Sequence, residues 1–338
     1  MTKLTKDNLF VLVKSLTKSE KRQFKLYVGR LGVNEDSKFL LLFKLLERLK
    51  AYDEKLILKQ GFVKKQQLSN LKAHLYKQIL ISLKLNPSHQ NLRIQLREQL
   101  DFATILYHKG LYKQSLKILD KAKALAIKNQ EKNIAYEIVE LEKVIESQYI
   151  TRSLSNRADA LTIQAKELSR QNVIASKLSN LSLQLYGLFL KTGYVKNNAE
   201  HEKVTDYFDK RMPKFKIEAL GFREKLWLYK SHLWYSFLIQ DFKSCYKYSR
   251  KWVDLFYDNE TMIPLNPVFF LRGYQYLLEA LFFIKHHQKF KNVLNDFEQI
   301  TQKAWFPHDD NIDGLVFLYL YSNKINLHFM EGSFNEGL

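Results

Sequence analysis

The sequence predicts an all-α fold, in which helical hairpins follow one another in series behind a small basic helical module. Three observations predict it. Five prolines and 11 glycines in 338 residues leave few breakers, while Leu, Lys and Gln, all good helix formers, are abundant. Apolar residues recur at three- and four-residue spacing over long stretches. Turn signals carrying an aromatic residue punctuate the second half. Tyr194, Phe242, Phe290 and Phe334 lie 48, 48 and 44 residues apart, and Tyr112 lies 82 before Tyr194.

Taken in order, Asp7 to Leu16 forms a short first helix with Phe10 and Val13 on one side. Thr17 and Glu20 are spaced as a capping box for a second helix, whose inner stripe is Phe24, Tyr27, Val28 and Leu31. Gly29 and Gly32 weaken its end, and Asn34 to Asp36 is a loop. Ser37 stands as N-cap to Lys38–Tyr52, which is apolar nearly all round and should be the buried centre of the module. A short helix over Glu54–Lys59 ends near Gly61, and a long one over Lys65–Leu85 carries Leu68, Leu71, Leu75 and Ile79 on one face. Asn86-Pro87-Ser88 stops it, giving a basic module over 1–88 and a hairpin array over 89–338.

Within the array the predicted helices are Gln130–Tyr149, Asn156–Arg170, Ile174–Lys191, Ala199–Lys210, Phe222–Ile239, Val268–His286, Lys291–Gln302 and Ile312–Met330, with a further helix after Phe242. The first hairpin is the most explicit. Leu100, Ala103, Leu106 and Tyr107 mark one face of a helix, Gly110 breaks it, and Leu116, Leu119 and Ala122 begin the next. Ala103 and Ser115 are small where two helices must approach closely, and Tyr112 packs into the turn.

These residues resemble a tetratricopeptide repeat (TPR). The resemblance implies a right-handed α-solenoid of TPR-like hairpins, each burying its apolar face only against its neighbours. The spacing exceeds the ~34 residues of a standard unit, so these are longer-helix relatives, with a HEAT-like solenoid as the competitor by period. At the end of the chain, Phe334 occupies a turn and only Asn335–Leu338 follow. The apolar face of Ile312–Met330, with Leu315, Phe317, Leu318 and Leu320, would then lack its hairpin partner, and the array is expected to continue beyond Leu338.

The composition bears on compartment and chemistry. One cysteine, Cys245, excludes an internal disulfide framework and fits a reducing, cytoplasmic setting. Its mid-helix position among apolar residues predicts packing rather than nucleophilic work. No stretch approaches ~18 uninterrupted apolar residues, and the N-terminal apolar run lacks the length and cleavage site of a secretory signal. HExxH, paired CxxC and the glycine-rich phosphate loops are absent, so neither cofactor nor catalytic group is predicted and the chain reads as non-enzymatic. Asp309-Asp310-Asn311-Ile312-Asp313-Gly314 matches the first half of a calcium loop, but the closing acid position holds Leu320; a helix cap is the expected role.

Charge is uneven. Residues 1–99 hold 21 Lys+Arg against 8 Asp+Glu, net +13; 100–212 hold 18 against 13, net +5; 213–338 hold 15 against 14, net +1, which together make the +19 of the chain. Two binding functions follow. By the resemblance, the first helix of each pair lines a concave face, and the matching positions are Arg97, Thr104, Tyr107 and His108; Tyr186 and Phe189; Trp227, Lys230, Trp234 and Phe237; Phe282, Lys285 and His286; and Asn326. Aromatic anchors mixed with cations suit an acidic protein or peptide partner, which makes the chain a scaffold or regulator. The alternative is nucleic-acid binding by the basic module through Lys18, Lys21, Arg22, Lys25, Lys64, Lys65 and Lys72, where Asp53–Lys59, Gly61 and the next helix are arranged as in a helix-turn-helix.

Overall fold

A computed structural model describes residues 7–32, 34, 37–86, 91–148 and 156–336. Among them the chain is all-helical, with sixteen α-helices and no strand. The expected stop at Pro87-Ser88, with the module boundary beside it, lies outside the described residues. So do the expected turn at Arg152–Ser155 and most of the Asn34–Asp36 loop. By its contacts the chain separates into two compact units, Met1–Gln95 and Leu96–Leu338.

The first unit is built from α1 (Asn8–Ser15), α2 (Lys18–Arg30), α3 (Lys38–Arg48), α4 (Glu54–Lys59) and α5 (Lys65–Lys84). Thr17 and Glu20 form the expected reciprocal cap: the Glu20 amide donates to Thr17 Oγ1 at 3.2 Å and the Thr17 amide to Glu20 Oε2 at 2.7 Å. Helix α3 is the centre, with Leu42, Phe43 and Leu46 fully buried and the Phe43 ring 4.7 Å from that of Phe24 on α2. Each such side chain stabilises the unit by roughly 1.5–3 kcal/mol. Ser37 holds the N-cap position of α3, but its hydroxyl makes no capping bond. Helix α3 also ends at Arg48, four residues before the expected Tyr52.

The second unit contains most of α6 (Leu92–His108), then α7 (Tyr112–Lys128), α8 (Lys132–Gln148), α9 (Arg157–Thr192), α10 (Asn198–Arg211), α11 (Phe222–Leu238), α12 (Phe242–Tyr257), α13 (Met262–Leu265), α14 (Pro267–Phe283), α15 (His287–Thr301) and α16 (Asp310–Glu331). Packing follows chain order from α7 on α8, through α9, α11, α12 and α14, to α15 and α16. Five of the helix ends close with the same bond, in which an amide reaches back five residues to a carbonyl: Leu111 to Leu106, Glu131 to Ala126, Asp241 to Ser236, His286 to Leu281 and Ser333 to His328. This is the Schellman closure, and it requires a left-handed residue just before the donor. Gly110 and Gly332 supply it without strain, whereas Gln130, Gln240 and Lys285 adopt φ of 60°, 59° and 55° at roughly 1–2 kcal/mol each.

Two of the expected helices are one. The expected break between Arg170 and Ile174 does not exist: α9 is a single helix of 36 residues. Gln171, Asn172 and Val173 carry no Gly or Pro, so nothing local stops the helix. Its first half packs against α8, and its second half against α11. At the other end, Asp309 caps α16 as expected, its carboxylate accepting from the Asn311 and Ile312 amides at 2.9 and 2.8 Å. Of the four residues expected to lack a partner, Phe317 and Leu318 are exposed, as are Tyr321 and Phe329, whereas Leu320 is buried and Leu315 packs on the core.

A cationic groove along α9, α11 and α14

The middle of α9 presents small polar residues at helical spacing: Ser169, Asn172, Ser176 and Ser179. With α8 and α11 they wall a cavity of about 580 Å³. A second recess of about 330 Å³ adjoins it, sharing Ser179 and Trp227, and is closed by Arg272 and Tyr276 of α14. From Ser169 to Tyr186 the groove follows 17 residues of helix, roughly 25 Å at 1.5 Å per residue.

At one end the groove is fixed by charge. Lys132, in the first turn of α8, donates to both carboxylate oxygens of Glu224 in the first turn of α11, at 3.0 Å each, and both side chains are buried. Beside them Arg223 donates to Glu131 at 2.5 Å. Gly221 makes room: a Cβ there would stand 2.4 Å from Lys132 Nζ and 2.9 Å from Glu224 Oε2. This latch joins residues 92 apart in sequence. A buried pair of this kind adds little net stability, but removing one partner strands the other.

At the other end the charges are unmatched. Lys230 of α11 is half-buried, its ammonium 4.9 Å from the Trp227 ring centre and 5.7 Å from that of Phe269. Burial, with Arg272 as a like-charged neighbour, pushes its pKa down from 10.5 to about 8. Neither cation has an acidic partner among the described residues, and the recess itself is lined by no acid. Trp234 forms the floor, its ring 4.7 Å from Tyr186 and 5.6 Å from Tyr276. Trp234 Nε1 and Ser182 Oγ are both buried without a hydrogen-bond partner.

Four of the seven leading partner-contact residues predicted from sequence, Tyr186, Trp227, Lys230 and Trp234, therefore line one recess. The other three are elsewhere. Arg97 pairs with Glu137 at 3.7 Å, Tyr107 donates to Gln148 at 3.0 Å, and Lys285 is exposed at the turn between α14 and α15. Phe237, expected to face the partner, is core at 2% exposure. Arg272, Tyr276, Asn180 and Ser182 were not predicted. The signal for the polar ones on α9 was the run of Ser and Asn at a period of three to four; Arg272 carried none, because α14 reaches the recess only through tertiary packing.

In the first unit Lys18, Arg22, Lys64 and Lys65 are exposed and Lys21 is partly so, and among the described residues none of them is in an ion pair. Lys25 pairs with Glu47 at 3.0 Å. Lys72 pairs with Asp7 and also donates to Tyr52 at 3.0 Å, which holds its pKa above the ordinary value despite burial. On α5, Gln66, Gln67 and Asn70 are exposed opposite the buried Leu68, Leu75 and Ile79.

Cys245 is fully buried, and burial pushes its thiol far above the ordinary range, in accord with a packing role. Among the described residues no three His, Cys, Asp or Glu side chains gather as a metal set, and no helix is long and apolar enough to cross a membrane. Compared with known protein families, curated proteins and solved structures, the chain matches none. What fold and groove define is an all-α protein with an aromatic-walled, cation-bearing groove.

Proposed function

We propose that this chain is a non-enzymatic scaffold or regulator that holds an acidic segment of a partner protein in the groove of α9, α11 and α14. The observation that carries the reading is the pair of unmatched cations, Lys230 and Arg272, in a recess walled by Trp227, Trp234, Tyr186 and Tyr276 and lined by no acid. Folding gains nothing from a half-buried, unpaired lysine, whereas a ligand carrying the missing charge does. Around the groove we read a right-handed α-solenoid of TPR-like hairpins with a concave binding face, supported by packing in chain order and by five ends closed alike. A single, buried cysteine supports a cytoplasmic setting.

Selection of random heptapeptides on phage against the immobilised chain tests this. Sequences with Asp or Glu beside aromatic residues should be enriched, and the enrichment should vanish when Lys230 and Arg272 are both changed to Glu. Enrichment of neutral sequences, or of acidic ones that survive the reversal, contradicts it.

A second reading, nucleic-acid binding by the first unit, is favoured by the exposed Lys18, Arg22, Lys64 and Lys65. Duplex DNA retained at 200 mM salt, and released by reversing Lys18, Lys21, Arg22 and Lys25 to Glu, would support it; release of the unaltered protein at that salt would count against it.

A further inference from the structure

We infer that the recess between α9, α11 and α14 is a receptor for the carboxylate of an aspartate or glutamate side chain on a segment that passes through the groove. The inference rests on the groove reading and makes it specific. The charged groups on the recess are both donors, the Lys230 ammonium and the Arg272 guanidinium, and the rest of its lining is neutral. Lys230 is half-buried, so its ammonium is only partly hydrated. A buried donor left without an acceptor is unfavourable. An ionised carboxylate is acceptor-only, with about four lone-pair directions on two oxygens, and so matches a set of donors. An amide would bring its own N–H groups against two cations.

A side chain fits better than a chain terminus because the groove is open on both sides of the recess. On one side it continues over Ser179 and Ser176 into the larger cavity. On the other it runs out across Leu183, which is 67% exposed. An extended segment of roughly 7–8 residues spans that ~25 Å length at ~3.3 Å per residue. Its apolar side chains meet Leu183, Tyr186 and Trp227, and its acid enters between Lys230 and Arg272.

The test uses the full chain labelled with ¹⁵N, whose four tryptophans give separate indole signals. Three peptides are titrated at constant ionic strength: N-acetyl-phenylalanyl-glutamyl-phenylalaninamide, its glutaminyl counterpart, and N-acetyl-phenylalanyl-phenylalanyl-glycine with a free terminal carboxylate. The glutamyl peptide should move the Trp234 and Trp227 signals and bind about tenfold or more tightly than the glutaminyl one. Changing the exposed Arg272→Gln, or separately Lys230→Met, should erase that difference. Equal binding of glutamyl and glutaminyl peptides at Trp227 and Trp234 overturns the carboxylate assignment while leaving groove binding intact. Tighter binding of the free-terminus peptide overturns the side-chain assignment. Absence of any shift at these two indoles overturns both the inference and the groove reading.

Discussion

Replacing Lys230 by Met should stabilise the protein while removing the site, and the size of the gain can be worked from the structure. A pKa lowered from 10.5 to about 8 corresponds to up to ~3 kcal/mol of disfavour for the charged form in the native state, at 1.36 kcal/mol per pH decade. Partial solvent access at the ammonium trims this to ~2 kcal/mol. The ring contacts with Trp227 and Phe269, 4.9 and 5.7 Å away, return ~0.5–1 kcal/mol. Desolvation wins, and the Lys230→Met variant gains ~1–2 kcal/mol at pH 7. The sign with pH follows from proton binding. Between about 8 and 10.5 the unfolded lysine stays protonated while the native one does not, so the unaltered protein gains stability as pH rises through that window. The gap between variant and unaltered protein should therefore narrow by pH 9.5. All four tryptophans lie in the second unit, so guanidinium denaturation followed by tryptophan fluorescence at pH 7 and 9.5 reads the effect there. A variant less stable at pH 7, or a gap that does not change with pH, would mean that the Lys230 ammonium is not disfavoured in the folded protein.

Glu224→Ala should destabilise the second unit by ~3–5 kcal/mol in the same assay, because it strands the buried Lys132; Glu224→Leu combined with Lys132→Met should recover most of that loss. Gly221→Ala should cost about 1–3 kcal/mol by pushing the Lys132 and Glu224 side-chain ends out of their buried pairing, since its Cβ would stand 2.4 Å from Lys132 Nζ; unchanged denaturation would mean that these flexible ends shift aside and keep their bond. Thr17→Ala removes the acceptor of the Glu20 amide and should destabilise α2 by ~1 kcal/mol, read as faster hydrogen exchange over Lys18–Arg30.

The parts of the fold legible in the sequence are those decided within one helix. Thr17 and Glu20 announced their cap, Asp309 its helix start, and Leu42, Phe43 and Leu46 their burial. The missing break in α9 was not legible, because Gln171-Asn172-Val173 neither favours nor forbids a helix and the neighbours α8 and α11 decide. The site divides the same way. Trp227, Lys230 and Trp234 recur three to four residues apart on one helix and could be grouped from sequence. Arg272 belongs with them only because α14 packs beside α11 by way of α12, a tertiary fact with no local signature. Phe237, three residues from Trp234, turned inward, where its ring packs among those of Phe242, Tyr276 and Phe283.

The groove is tested most directly by a crystal structure of the chain bound to an acidic heptapeptide selected against it. The bound peptide should lie extended along α9 with one acidic side chain about 3 Å from Lys230 Nζ and from the Arg272 guanidinium. A peptide seated elsewhere, such as on the exposed Phe317, Tyr321 and Phe329 of α16, with the recess unoccupied, would contradict it.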